Sequence, residues 1–76
     1  MKITIENTTK IVELNGVEAR VWEGTTDTGI PVHCFITRIA VDINDEAANE
    51  QFRRELAEQK PPSAAVDAAY PLRMIL

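Results

Sequence analysis

The sequence predicts a small α+β domain, with an antiparallel β-meander of about four strands, one packed α-helix and a C-terminal strand. Three observations lead to this class. Asn15-Gly16 lies between two alternating runs, a turn-rich connection over 24–29 leads into a further β-branched run, and Pro61-Pro62 ends a helix-forming stretch. With 76 residues, the chain is expected to form a single domain, 1–76.

The first strands follow from alternation and from turn residues. Apolar and polar residues alternate over 1–6, and Asn7-Thr8 predicts a turn into a second strand over 10–14. A type I′ turn at Asn15-Gly16 needs positive φ at both residues and fixes the pairing with the next strand. The expected pairs are Leu14 with Val17, Val12 with Ala19, Lys10 with Val21, Glu13 with Glu18, Ile11 with Arg20 and Thr9 with Trp22.

The connection over 24–29 leaves two registers open for the following run, Ile30 to Val41. A symmetric turn around Asp27-Thr28 pairs Trp22 with His33 and Arg20 with Phe35. A three-residue loop with a bulge at Gly29 shifts every pair by one position. We favour the symmetric turn, because the shift would place a threonine opposite Ala19 in the core.

The second half of the chain predicts a helix and a last strand. Asn44 is the expected N-cap of a helix over Asp45 to Lys60, whose narrow apolar stripe is Ala48, Phe52 and Leu56. Residues 63–69 are predicted to form a loop or a weak helix. The apolar end, Leu72 to Leu76, predicts a strand that pairs with the sheet or with another subunit.

Composition excludes several function classes. The net charge is −4 without blocks of like charge, which disfavours binding to duplex nucleic acid or to an anionic membrane. No signal peptide or membrane span is recognisable, and the single Cys34 favours a cytoplasmic protein. No Cys/His cluster predicts a metal site, and nothing predicts a cofactor. Since so small a core has neither disulfide nor metal, we expect a homo-oligomer.

Two sets of residues suggest catalysis, but neither is compelling. His33-Cys34 could form a thiol–imidazole dyad, but neighbours on a strand point to opposite faces, and Cys34 is expected on the core side. Glu13 and Glu18, with Glu23 nearby, could support a small hydrolase, although they also fit a solvated edge. We therefore predict no catalytic residues.

The side of the sheet away from the core carries the candidate binding residues. In the favoured register Arg20, Trp22, His33 and Phe35 lie together there, and Arg38 adds a second guanidinium. Trp and Arg are frequent at binding hot spots and can stack on planar rings. Three occupants are open: another copy, a foreign host protein or small nucleotide ligand, or the chain's own helix or C-terminal strand.

Three runs also carry a resemblance. LNGVEARVWEG at 14–24, IPVHCFITR at 30–38 and YPLRMIL at 70–76 resemble short proteins of proteobacterial phages and prophages, to which no known chemistry is attached. The resemblance implies an accessory, anti-defence protein that blocks or sequesters a host component in the host cytoplasm. The expected function is therefore a non-enzymatic, self-associating binding protein. The alternatives are a small hydrolase and a minor structural or assembly protein of a phage.

Overall fold

The computed structural model describes residues 1–69 and has an α+β architecture, which confirms the predicted class. A three-stranded antiparallel sheet has the order β1-β2-β3, and two short helices follow it. The elements are β1 (Ile3–Leu14), β2 (Val17–Thr26), β3 (Pro31–Ile36), α1 (Glu46–Ala57) and α2 (Ala64–Ala69). The predicted C-terminal strand at 72–76 lies outside the described residues.

The β1–β2 hairpin has the predicted turn and register. Asn15 has φ 51° and Gly16 has φ 83°, as a type I′ turn requires. The pairs from Leu14–Val17 to Ile11–Arg20 match the prediction. The turn chemistry therefore fixes which side chains of this hairpin share a face.

The predicted turn at Asn7-Thr8 is wrong, because β1 continues through these residues with a bulge. The register shifts between Asn7 and Ile11, so Asn7 lies opposite Trp22, where Thr9 was predicted. The buried Thr8 hydroxyl donates to the Val21 carbonyl at 2.7 Å and accepts from the Lys10 amide at 3.2 Å. A side chain thus satisfies the backbone where strand pairing is interrupted, and no turn is needed. The first two predicted strands are therefore one.

The favoured β2–β3 register is also wrong, and the shifted alternative is present. Gly29 has φ 90°, and the Thr26 amide donates to the Ile30 carbonyl at 2.9 Å across the loop. Trp22 therefore faces Cys34, Val21 faces Phe35 and Arg20 faces Ile36. The objection to this register fails because β3 ends at Ile36, well short of the predicted Val41, so no threonine comes opposite Ala19.

One side of the sheet, here called the core face, is covered by α2. The fully buried apolar side chains of the described residues are Val12, Ala19, Val21 and Val66, with Leu14 and Phe35 packed against them. Val66 comes from α2, so the segment predicted as loop or weak helix completes the core. Lys10 Nζ also lies 3.3 Å from an Asp67 carboxylate oxygen on this helix.

Helix α1 differs from its predicted bounds at both ends. Asp45 is the N-cap in place of Asn44, and its carboxylate accepts from the Ala48 amide at 2.9 Å. The helix ends at Ala57, short of the predicted Lys60, because the chain then runs beside β1. There the Lys60 carbonyl accepts from the Thr9 amide at 2.9 Å. The chain between α1 and α2 thus crosses the outer edge of β1.

Candidate functional site

The opposite side of the sheet, here called the outer face, carries a tryptophan and an arginine on β2. Cross-strand partners share a face, so Trp22 lies with Cys34, and Arg20 lies with both Ile11 and Ile36. The Asn7 side-chain amide, opposite Trp22, donates to the Leu56 carbonyl of α1 at 3.0 Å. This hydrogen bond holds the C-terminal end of α1 beside the outer face.

A cleft of about 280 Å³ lies between the outer face, the chain after β3 and the end of α1. Its apolar lining includes an indole and several aliphatic side chains, and its polar lining includes two guanidinium groups and one carboxylate. The lining residues are Ile11, Glu18, Ala19, Arg20, Trp22, Ile36, Thr37, Arg38, Ile39, Leu56 and Gln59. Three of the five predicted site residues, Arg20, Trp22 and Arg38, therefore line one cleft.

The other two predicted site residues lie elsewhere, which corrects the predicted surface. His33 pairs with Glu23, and Phe35 pairs with Val21, so both belong to the core face. Phe35 packs against the buried cluster. The cause is the one-residue shift at Gly29, since such a shift moves every side chain of a strand to the other face. Trp22 and Phe35 therefore lie on opposite sides of the sheet.

The guanidinium of Arg20 is held in place by the β1 bulge. Its Nη1 donates to the Thr8 carbonyl at 2.8 Å, and the residue is half-buried. A guanidinium has five N–H donors in a rigid fork, so this contact orients the group and leaves it donors for a ligand. Arg38 is exposed at the other side of the cleft. The cleft thus combines one oriented and one exposed cation.

The candidate dyad is not assembled. Cys34 lies on the outer face and His33 on the core face, the reverse of the predicted placement. The two side chains still point to opposite sides of β3, so a thiol–imidazole contact does not form.

The candidate carboxylates are also divided between the two faces. Glu13 and Glu18 are cross-strand partners as predicted, but Glu23 faces the other way, toward α2. A Glu23 carboxylate oxygen accepts from the Ser63 amide at 2.8 Å. Hydrogen bonding from Ser63, aided by the charges of Lys60 and His33, holds the Glu23 pKa below its usual value of 4.5. This carboxylate therefore anchors the start of α2 and is not available to the other two.

Sequence reasoning missed several lining residues of the cleft. The register favoured from the sequence places Ile36 opposite Ala19 on the core face, whereas the shifted register at Gly29 places it on the outer face. Leu56 belongs to the predicted apolar stripe of the helix, but the stripe does not show which face it meets. No sequence signal points to Gln59. The site is thus more aliphatic than predicted, and among residues 1–69 it has one aromatic ring, Trp22, where the rings of Trp22, His33 and Phe35 were expected.

Residues 1–69 hold no group of three or more His, Cys, Asp or Glu side chains placed to bind a metal ion. Neither helix within this range has the length and apolar character needed to span a membrane. Comparison of the chain with protein-family models, with curated proteins and with solved structures finds no match. The functional interpretation therefore depends on the geometry of the cleft.

Proposed function

We propose that this chain is a non-enzymatic, self-associating binding protein that makes its contacts through the cleft on the outer face. The observation that carries the proposal is the combination of Trp22, two guanidinium groups and aliphatic side chains in one open depression. Trp and Arg dominate binding hot spots because they bury a large area and still offer directed donors.

The apolar lining supports contact with a partner. Helix α1 borders the cleft but leaves its apolar residues partly exposed: Ile11 is 41% exposed, Ile39 41% and Leu56 36%. Only four apolar side chains of the described residues are fully buried, so the protein has a small core for its length. Covering the cleft would remove further apolar area from water and so stabilise the fold through association.

The cellular role that we propose follows the phage resemblance. A phage accessory protein of this kind would act in the host cytoplasm and block or sequester a host component, either a protein or a nucleotide. In the nucleotide case Trp22 would stack on the base, while Arg20 and Arg38 would contact phosphate oxygens. We also propose that 72–76 adds a strand to the sheet of this copy or of another.

The only tryptophan of the chain lies in the cleft, so its fluorescence reports binding directly. Wild-type protein is titrated with a panel of mononucleotides and cyclic nucleotides by fluorescence and by calorimetry. We expect a saturable signal that Trp22→Ala abolishes in calorimetry and that Arg38→Glu weakens about tenfold or more, as for the loss of a charged hydrogen bond. Ile30→Ala is the matched control, because Ile30 is 60% exposed and lies outside the cleft.

The protein partner is tested in the same way. A stoichiometric host protein recovered with the wild type is purified, and its affinity is measured for the same variants. Loss of affinity with Trp22→Ala and Arg38→Glu, but not with Ile30→Ala, supports the cleft as the site. Equal affinity for all variants places the site elsewhere, and hydrolytic turnover of a ligand contradicts the non-enzymatic role.

A further inference from the structure

The most exposed large apolar side chain inside the described range, after the N-terminal Met1, is Ile43. It is 84% exposed and lies in the turn before α1. Glu46, Asn49, Glu50 and Arg53 line a shallow depression with it. An isoleucine so exposed adds little to the stability of its own fold, because almost none of its apolar area is removed from water. Its side chain is therefore available for contact with another molecule.

Acidic groups surround Ile43. Asp42 and Asp45 flank the turn, and Glu46 and Glu50 follow on the first turns of α1. One cation lies among them, Arg53, whose guanidinium is 4.0 Å from a Glu50 carboxylate oxygen. This region, Ile43 with the surrounding carboxylates, is called here the acidic knob. A surface complementary to this region is a concave, apolar site with positively charged groups at its rim.

The cleft on the outer face has that complementary character. Its floor is apolar, and among residues 1–69 its charged lining groups are the two guanidiniums of Arg20 and Arg38 and the single carboxylate of Glu18. A local positive balance is notable in a chain whose net charge is −4. The charges of the knob and of the cleft are thus opposite, while both centres are apolar.

The knob and the cleft are also neighbours on the chain. Ile39 lines the cleft, and Ile43 follows four residues later, so their Cα atoms lie within about 14 Å of each other. A two-fold axis passing between them would bring the knob of each copy to the cleft of the other. Such an interface is closed, and the contact between knob and cleft occurs twice in it.

We propose that, when no host component is bound, the cleft is occupied by a second copy of this chain, which inserts Ile43 into it and sets Glu46 against Arg38. The inference rests on the self-association in the proposed function and names the surface that carries it. Trp22 and Leu56 contact the inserted side chain, and the guanidinium of Arg38 faces the acidic rim. Because the same patch contributes both halves, the assembly is a dimer and not an open chain.

The test is sedimentation equilibrium from about 1 to 200 µM, at low and at high salt, with circular dichroism to verify folding. The wild type is expected to dimerise, more weakly at high salt because the rim charges are screened. Ile43→Asp should raise the dimer dissociation constant about a hundredfold or more, since the change occurs twice and burying one such side chain corresponds to about tenfold to a hundredfold. Ile30→Asp, at an exposed isoleucine outside the cleft, should leave the constant unchanged.

Charge reversal gives a second measurement that does not alter Ile43. Arg38→Glu and Glu46→Arg should each weaken the dimer, and the double variant should recover much of the wild-type affinity. Without such recovery, the pairing of these two residues is wrong. If Ile43→Asp dimerises as tightly as Ile30→Asp, the insertion of Ile43 into the cleft is contradicted, while self-association by another surface is supported. A wild type that stays monomeric throughout overturns both the inference and the self-association.

Discussion

Replacing Thr8 tests the β1 bulge, because Thr8→Val keeps the shape of the side chain and removes its hydroxyl. The residue is fully buried, and the hydroxyl satisfies both the Val21 carbonyl and the Lys10 amide. Val21 has no partner in β1, so its carbonyl would lose its hydrogen bond in a site that water does not reach. Leaving a buried acceptor unsatisfied costs about 1–3 kcal/mol, and the partly buried amide adds a smaller amount.

We therefore expect Thr8→Val to lower the free energy of unfolding by about 2–3 kcal/mol. That is a large fraction of the roughly 4–11 kcal/mol typical of a 76-residue chain. Thr8→Ser keeps both hydrogen bonds and loses one buried methyl group, so it should cost only about 1 kcal/mol. Urea unfolding followed by circular dichroism measures both, and the midpoint for Thr8→Val should fall by about 2 M. A valine variant as stable as the wild type, with a less stable serine variant, would refute the reasoning.

Three further predictions concern other contacts of the fold. Gly24→Ala should destabilise by about 3 kcal/mol, because its Cβ would clash with the backbone of Thr4 and Ile5, whereas Gly29→Ala, strained only by its φ of 90°, should cost about 1 kcal/mol. Equal midpoints in urea would contradict this order. Val66→Ala should cost about 2–3 kcal/mol, since two buried methyl groups leave a cavity between α2 and the sheet; a loss below about 0.5 kcal/mol would mean that α2 does not cover the core. The lowered pKa of Glu23 means that its carboxylate stabilises the fold above pH 4.5, and that this contribution is lost as the pH falls through the lower folded pKa. Melting temperatures from pH 7 to pH 3 should therefore fall more steeply for the wild type than for Glu23→Gln, and parallel curves would contradict the contact with Ser63.

Much of the first hairpin could be predicted from the sequence because local chemistry determines it. Asn15-Gly16 strongly favours a turn with positive φ at both residues, and the alternation on both sides agrees with the resulting register. The bulge could not be predicted in this way. Asn7-Thr8 is as suitable for a turn as for a bulge, and the choice depends on whether the Thr8 hydroxyl reaches Val21 across the sheet.

The candidate site was predicted in part for a related reason. Trp22 and Arg20 keep their face because the Asn15-Gly16 turn sets it, while His33 and Phe35 depend on the loop containing Gly29. That loop allows two registers that differ by one residue, and the structure has the shifted one, with Gly29 at a φ of 90° in the loop. The rest of the cleft comes from α1, whose position depends on long-range contacts such as the one from Asn7 to Leu56.

The passage of the chain across the outer edge of β1 has a consequence for handling the protein. The Lys60 carbonyl accepts a hydrogen bond from the Thr9 amide at the edge of β1, and Pro61-Pro62 follows, which has no backbone N–H donors. Proteolytic cleavage between α1 and α2 would release this segment from β1 and leave the strands of the sheet intact. The nicked protein would then expose a strand able to recruit extended peptide, so we expect turbidity to rise soon after cleavage.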